Sequence, residues 1–577
     1  MSDIKLLNLD GSVSENGVDN SQIIGIDLGT TNSAVAVYDA GLVPTLCPMG
    51  NGNKTTMQSC VRWNGGDSFT VGPEAYNERY KSNVIYSVKR IMGTDQKIKL
   101  TLDNGYFIEM TPAEVSAEIL KALKRQVHEY FPALYRCIIT VPAYFNQRQI
   151  EDTVEASKLA GLECVQILKE PTSASYIYST LGHASEGSVL IYDLGGGTFD
   201  ITHMSFLSKK GISKKQITAL NKLYKIDVNS MDANADDSDL YFCRVLGTYG
   251  DSKLGGDDID SIFAKKVIDS QNLTLDKEGF EMLKLHCEQF KKLNVAGKKF
   301  TLQGNEIMLN KSELDDAIGT VFDRTMEIVS NIPAEELSAI RTVVLVGGST
   351  KSDTLFNLLK KKFPDKEISR VLDPDSTVAL GAASVAKDIQ SGKGIRYQDV
   401  LPMAIGVLTD EKYISVCVPK NTSLPYSVSK VYKTMHDNQP AISVHVYQGV
   451  STDPTECVFL GTIRDDDLPK KPAGELDVMV SFTLNSQGRL KVTTTIDGVS
   501  ESKELIVDSI LNVSKDNSAG KKSDVADVPI DDFEKAIWDI VVSDDKLASI
   551  IVERRSILES GDEGKLLEIE DKIMELL

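Results

Sequence analysis

The sequence predicts a multidomain chain: a duplicated α/β domain with a cleft between its halves, then an antiparallel β-sandwich, then a short helical tail. Three observations predict it. Ile26-Asp27-Leu28-Gly29-Thr30-Thr31-Asn32 and Tyr192-Asp193-Leu194-Gly195-Gly196-Gly197-Thr198-Phe199-Asp200 each place an aspartate at the end of an apolar run and follow it with a turn of small residues. The two copies are separated by enough chain for one α/β half. Beyond residue 400 the pattern changes to period-two alternation at 412–418, 441–447 and 490–496, between Pro, Gly and Asn turns, as antiparallel strands require.

Residues 1–21 are polar and acidic and read as a disordered leader. From 22 to 393, apolar strands alternate with helical segments such as 112–130 and 148–160. The runs 23–26 and 188–192 read as buried strands. Gly and Thr after each let the turn bring backbone N–H groups up to an anion, so both turns are candidate phosphate loops. Asp27 and Asp193 beside the phosphates suit the water shell of a magnesium ion. A third apolar run, 342–346, ends in Gly347-Gly348-Ser349, where a planar base and a ribose can approach the backbone. No G-x-x-x-x-G-K-[ST] loop is present.

Residues 394–399 form the expected linker and 400–507 the sandwich. The segment 508–577 is a polar stretch followed by short helices, with Phe533, Ile537, Ile540 and Val541 at helical spacing. Between 205 and 245 lies an insertion carrying Asp232, Asp236, Asp237 and Asp239; its spacing fits no EF-hand, so a solvated loop is expected.

The net charge of −20 argues against nucleic acid as a partner and fits a solubility role. The eight cysteines show no C-x-x-C pair or metal-ligand spacing, which predicts a reduced, cytoplasmic setting. Neither a signal peptide nor a membrane-spanning run is found, so no membrane association is expected.

With Val88-Lys89-Arg90, Val141-Pro142-Ala143-Tyr144-Phe145-Asn146 and Glu170-Pro171-Thr172 added to the three motifs, residues 22 to 507 closely resemble the seventy-kilodalton heat-shock chaperones of the DnaK type. The resemblance implies an actin-like ATPase domain, a peptide-binding sandwich and a short helical lid, with ATP or ADP and Mg2+ as cofactors. It implies Lys89 as a catalytic lysine, Glu170 orienting water or the metal's hydration shell, Asp193 and Asp200 as metal or general-base candidates, and Thr198 within reach of the γ-phosphate. Asp27, Asp193 and Glu170 become the metal set. Gly29, Thr30, Thr31, Asn32, Gly195, Gly196 and Gly197 become the phosphate cradle.

For the nucleoside the resemblance points to Glu288 and Lys291 at the ribose, Gly347, Gly348 and Ser349 beneath the base, and Asp375 nearby. Lys292 and Lys351 stand where the family often has arginines that stack on adenine. Val407, Tyr432, Ile442 and Val444 match a groove for an extended apolar peptide, with Met435 and Asp410 at its arch. Taken alone, an (i, i+3) Glu/Lys pair is a surface ion pair and those groove positions are ordinary sandwich core.

Departures cluster where domains communicate. Pro142, the switch proline, and Asp399 are retained, but Ile395-Arg396-Tyr397-Gln398 replaces an aliphatic linker, and Gln147, Ile150 and Gln166 replace relay residues. The expected function is an ATP-driven chaperone of unfolded segments, with J-domain and nucleotide-exchange co-chaperones as possible partners. The alternatives are an ATP-binding scaffold or co-chaperone that hydrolyses poorly, and a small-molecule kinase of the same two-loop superfamily.

Overall fold

The computed structural model describes residues 22–38, 44–49, 54–128, 135–181, 187–208, 241–293, 295–370, 373–391, 397–409, 412–466, 468–485, 488–496 and 502–507. The expected leader, most of the acidic insertion, Asp410, linker residues 394–396 and the helical tail lie outside the described residues.

Two six-stranded sheets carry the duplication. The first runs Glu163–Lys169, Arg136–Val141, Ile23–Asp27, Asn32–Tyr38, Pro44–Leu46, with Thr56–Gln58 also paired to Asn32–Tyr38. The second runs Glu367–Ser369, Ile340–Val346, Gly187–Leu194, Phe199–Ser208, Tyr241–Asp251 and then Tyr397–Gln398. In each, the strand ending in the motif aspartate pairs parallel to one neighbour and antiparallel to the strand that follows its turn. The repeat visible in the motifs is therefore a repeat of topology.

Central strands such as 188–192 and 342–346 are continuous apolar runs because helices cover both faces of the sheets. Thr377–Gln390 packs on Ile23–Asp27 and Glu170–Thr180, and small residues allow the approach: a Cβ on Gly381 would meet Ser173 O at 1.9 Å, and one on Gly25 would meet Ala383 N at 2.4 Å. Separate apolar cores fill the two halves, one around Val35, Leu120 and Ile139, the other around Leu190, Phe263 and Leu345. A capping box opens Gln147–Leu159, where Asn146 Oδ1 accepts from Gln149 N–H and the Gln149 side chain accepts from Asn146 N–H.

The later part is a sandwich of two four-stranded antiparallel sheets. One runs Tyr413–Val418, Ala404–Thr409, Ala441–Gly449, Val458–Asp466, and the other Tyr426–Lys433, Asp477–Leu484, Leu490–Ile496, Lys503–Val507. Alternate residues from both, among them Val446, Val480, Phe482 and Val492, build its core. Two details differ from expectation. The strands flanking the acidic insertion reach into the range 205–245 assigned to it, Ser208 still pairing with Tyr241. The end of the linker is itself a strand, Tyr397–Gln398, added to the second sheet.

Candidate active site

The site begins with two hairpins whose turns meet. Ile23–Asp27 with Asn32–Tyr38 forms one and Gly187–Leu194 with Phe199–Ser208 the other. A Cβ on Gly196 would lie 1.8 Å from Thr31 Oγ1, and one on Gly197 would lie 2.3 Å from Thr30 Cγ2. Only glycine lets the turns approach this closely. Thr31 Oγ1 is buried there with no hydrogen-bond partner among the described residues, at the meeting point of the turns.

A cleft of about 600 Å³ opens beside them, a size suited to a small-molecule ligand. Asp27, Gly29, Thr30, Thr31 and Asn32 line it from the first turn, and Gly195, Gly196 and Thr198 from the second. Lys89, Glu170 and Asp193 also line it. Further along stand Glu288, Lys291 and Lys292, facing Gly347, Gly348, Ser349, Lys351 and Asp375. Gly197 and Asp200 are not among the lining residues. The Gly197 carbonyl accepts from Arg90 Nε at 2.9 Å, and buried Asp200 accepts the Tyr144 N–H at 3.0 Å.

Lys89 sits on a single 3₁₀ turn, Val88–Ile91, and is only 4% exposed. Its Nζ donates to Glu170 Oε1 at 2.5 Å. Glu170 opens the helix Glu170–Thr180, with Pro171 in the first turn, where no N–H is needed. The carboxylate therefore lies at the positive end of that helix's dipole.

Three aspartates crowd the same region. Asp193 and Asp200 stand opposite each other in antiparallel register, and Thr140 Oγ1 donates to Asp27 at 3.2 Å. Burial, and then the nearby Glu170, push the Asp27 carboxyl up to about 7 and the Asp200 carboxyl up to about 8. The same two causes, with Asp200 and Asp27 added, raise Asp193 well above the carboxylate range. These raised groups hold protons in the fold that the unfolded chain has already lost. Their stabilising contribution is complete below the unfolded value near 3.8 and disappears as pH rises through 7 and 8. The ligand-free protein should accordingly melt at a lower temperature at pH 8.5 than at pH 6.0 in a thermal-unfolding scan, and Asp200→Asn should flatten the difference. Identical melting at both values in the unsubstituted protein would mean that the acids are already ionised.

At the end of the cleft expected to take the nucleoside, Glu288 and Lys291 are already committed to protein partners. Glu288 accepts from the Tyr76 hydroxyl at 2.6 Å, Arg79 Nη1 at 2.5 Å and Lys292 Nζ at 2.6 Å. Burial pushes its carboxyl up, but Arg79 and then Lys292 more than offset this and hold it down to about 2. Lys291 donates to Gly256 O at 3.0 Å and to Asp260 at 2.9 Å. Lys351 pairs with Asp375 at 2.6 Å and Asp373 at 2.9 Å. Both lysines expected near the base are thus drawn to acids. Sequence reasoning missed Tyr76 and Arg79, which bond Glu288, and gave no role to Arg90, quoted only within its motif, or to Asp258, which together pin the second turn. Nothing local in the sequence marks them.

In the sandwich, Val407 and Val444 are buried in the core, with Tyr432 and Ile442 packed against it half-buried. Met435 is 63% exposed. The Tyr432 hydroxyl lies 3.2 Å from Cys417 Sγ. Pro142 is buried, its carbonyl accepting from Phe145 N–H, and Gln147 N–H donates across to Gln448 Oε1 of the sandwich at 2.9 Å.

A protein-family model described as Hsp70 protein matches residues 23–224 and 241–555. The chain belongs to the Hsp70 family. It is thus a chaperone of the Hsp70 type, from a family of ATPases that bind ATP or ADP with Mg2+ and that act on unfolded polypeptides with co-chaperones. Among the described residues no helix is long and apolar enough to cross a membrane.

Proposed function

We propose that this Hsp70 hydrolyses ATP in the cleft and uses the cycle to bind and release extended apolar segments in the sandwich. The observation that carries this reading is the convergence of the two glycine turns and the Lys89–Glu170 pair on one cleft. The turns supply N–H groups for the phosphates. Lys89 supplies positive charge where negative charge develops on the γ-phosphate, and Glu170 orients the attacking water.

The residues present fit a hydrated magnesium ion. Asp27, Asp193 and Glu170 face the cleft, but among the described residues no three acids, histidines or cysteines converge closely enough to be a ready inner-sphere set. The acids suit a metal held through its water shell, which when bound offsets phosphate charge and lowers the proton affinity of the carboxylates. Thr198 lines the same region with its hydroxyl available to the terminal phosphate.

Single-turnover hydrolysis of ATP, measured with and without an extended apolar peptide, tests the whole reading. Acceleration by peptide supports a coupled chaperone cycle, whereas tight binding without hydrolysis would hand the lead to the scaffold reading. The sandwich half has its own test. Val444 is 7% exposed and opposite Ile463, so Val444→Phe overfills the site. It should weaken binding of a Leu-rich peptide by about tenfold or more while costing about 1–3 kcal/mol of stability. Unchanged peptide affinity in a folded variant would return Val444 to the core alone.

A further inference from the structure

The end of the cleft expected to take the base has a wall that belongs to none of the three motifs. On the helix Lys311–Val329, the residues Lys311, Leu314, Asp315 and Ile318 recur at the spacing of a single helix face, and all four line the cleft. Leu314 and Ile318, with Val295 in the same lining, offer apolar contact to a planar ring. The nearby lysines do not stack on it. Lys292 is drawn to Glu288 and Lys351 to Asp373 and Asp375, and neither has a planar group.

Asp315 is held in a fixed place on this wall. Its Oδ1 accepts from Thr354 Oγ1 at 2.6 Å and from Lys311 Nζ at 2.8 Å, whereas its Oδ2 accepts from Lys311 at 3.0 Å. Thr354 lies in the first turn of the helix Asp353–Lys362, a few residues after Gly347-Gly348-Ser349, so the bond ties the helix wall to the turn that borders the same cleft. Among the described residues Oδ2 keeps a lone pair uncommitted, and the side chain is 36% exposed. The Lys311 ammonium reaches Thr354 Oγ1 at a long 3.4 Å, which leaves it a donor to spare.

Resting on the reading of the cleft as a nucleotide site, we propose that Asp315 and Lys311 read the edge of the base and make the site selective for a 6-aminopurine. The edge of adenine carries an N–H donor at the 6-amino group beside an acceptor at N1. A carboxylate beside an ammonium is the complement of that pair. A 6-oxopurine reverses both positions, turning its carbonyl oxygen to the carboxylate and its N1–H to the ammonium. Such a base fits the slot but leaves both groups facing the wrong partner, and a site built to hydrogen-bond its ligand rejects a mismatch more strongly than one that only fits its shape. Thr354 is a positioning residue, acting through Asp315.

Equilibrium binding to the full-length chain with Mg2+ present tests the proposal, using three diphosphates so that no hydrolysis intervenes: ADP, inosine diphosphate with its 6-oxo group, and the diphosphate of purine riboside, bare at position 6. ADP should bind about 30-fold more tightly than inosine diphosphate, with the bare purine between them. Asp315→Asn keeps the size and an acceptor for Thr354, and its amide N–H can donate to a 6-oxo group. It should bring ADP and inosine diphosphate within about threefold of each other, partly by tightening the second. In Asp315→Ala, ADP and the bare purine should bind alike, which closes a double-mutant cycle between the carboxylate and the 6-amino group. Thr354→Val should narrow the preference by a smaller factor. A triad that only braces two helices would weaken all three diphosphates equally; unchanged ratios in the folded Asp315→Asn and Asp315→Ala variants, or an unsubstituted chain indifferent to the base, would overturn the proposal. Failure of all three to bind would overturn the nucleotide reading and base selection with it. A chain that prefers ADP yet never hydrolyses ATP would overturn the proposed cycle while supporting base selection.

Discussion

Lys89→Ala should lower the single-turnover rate of ATP hydrolysis by about 10²–10³-fold, the cost of removing one preorganised charge from a phosphoryl-transfer site. Lys89 is 4% exposed, its ammonium is committed to Glu170 at 2.5 Å, and both line the cleft next to the two glycine turns. ATP affinity should change by only about threefold, because the turn amides and the nucleoside contacts remain. The substitution has a second consequence. It leaves Glu170 buried without its cation, which costs about 3–5 kcal/mol in a rigid site, less if the acid takes up a proton. Thermal unfolding should therefore shift downward. Adding Glu170→Gln to Lys89→Ala should restore much of the stability and none of the rate. Hydrolysis that survived Lys89→Ala in a folded protein would remove the lysine from the chemistry and leave it as a structural partner of Glu170.

The parts of this site that the sequence discloses are those written locally. A strand that ends in aspartate and is followed by glycines needs only neighbouring residues to be recognised, and it occurs twice, so the duplicated sheets and the facing turns were both legible. The Gly347 turn was legible for the same reason. Contacts between distant segments were not. Glu288 and Lys291 at their (i, i+3) spacing look like a surface pair, yet Glu288 is buried under Tyr76 and Arg79 from a segment more than 200 residues earlier. No periodicity links those positions.

The linker shows the same limit from another side. Read one position at a time, Gln166 stands where the resembled family has an arginine and Tyr397 is part of a string that replaces an aliphatic linker. In the fold they meet, amide to hydroxyl, so two departures that each look damaging form one satisfied pair. The groove residues are a third case. A core valine and a groove valine obey the same alternation, so Val407 and Val444 fit either role, and burial alone does not separate them.

Gly347→Ala should be a severely damaging single-methyl change in the cleft, weakening ATP binding by about 100-fold and costing about 2–4 kcal/mol of stability. The backbone there has φ +82°, a region where an L side chain is strained whatever space is available. Space is lacking as well. The new Cβ would fall 2.4 Å from Asp193 Oδ1 and 2.5 Å from Leu194 O. Leu194 is held in the ladder opposite Phe199, so the carbonyl cannot retreat without breaking the hairpin that carries the second turn. Relief must come from Asp193, one of the acids proposed to face the metal, and moving it disturbs the phosphate end from the base end. Gly348→Ala provides the contrast. Its Cβ would meet Asp375, with Oδ1 at 2.8 Å, and its φ is not left-handed, so the half-buried carboxylate can turn aside with its partner Lys351, whose side chain is 48% exposed. Affinity there should fall by no more than about fivefold. Titrating a fluorescent ATP analogue into both variants, with urea unfolding run alongside, separates the outcomes. Equal and small losses at the two glycines would mean that the third turn borders the cleft without helping to form the nucleotide site.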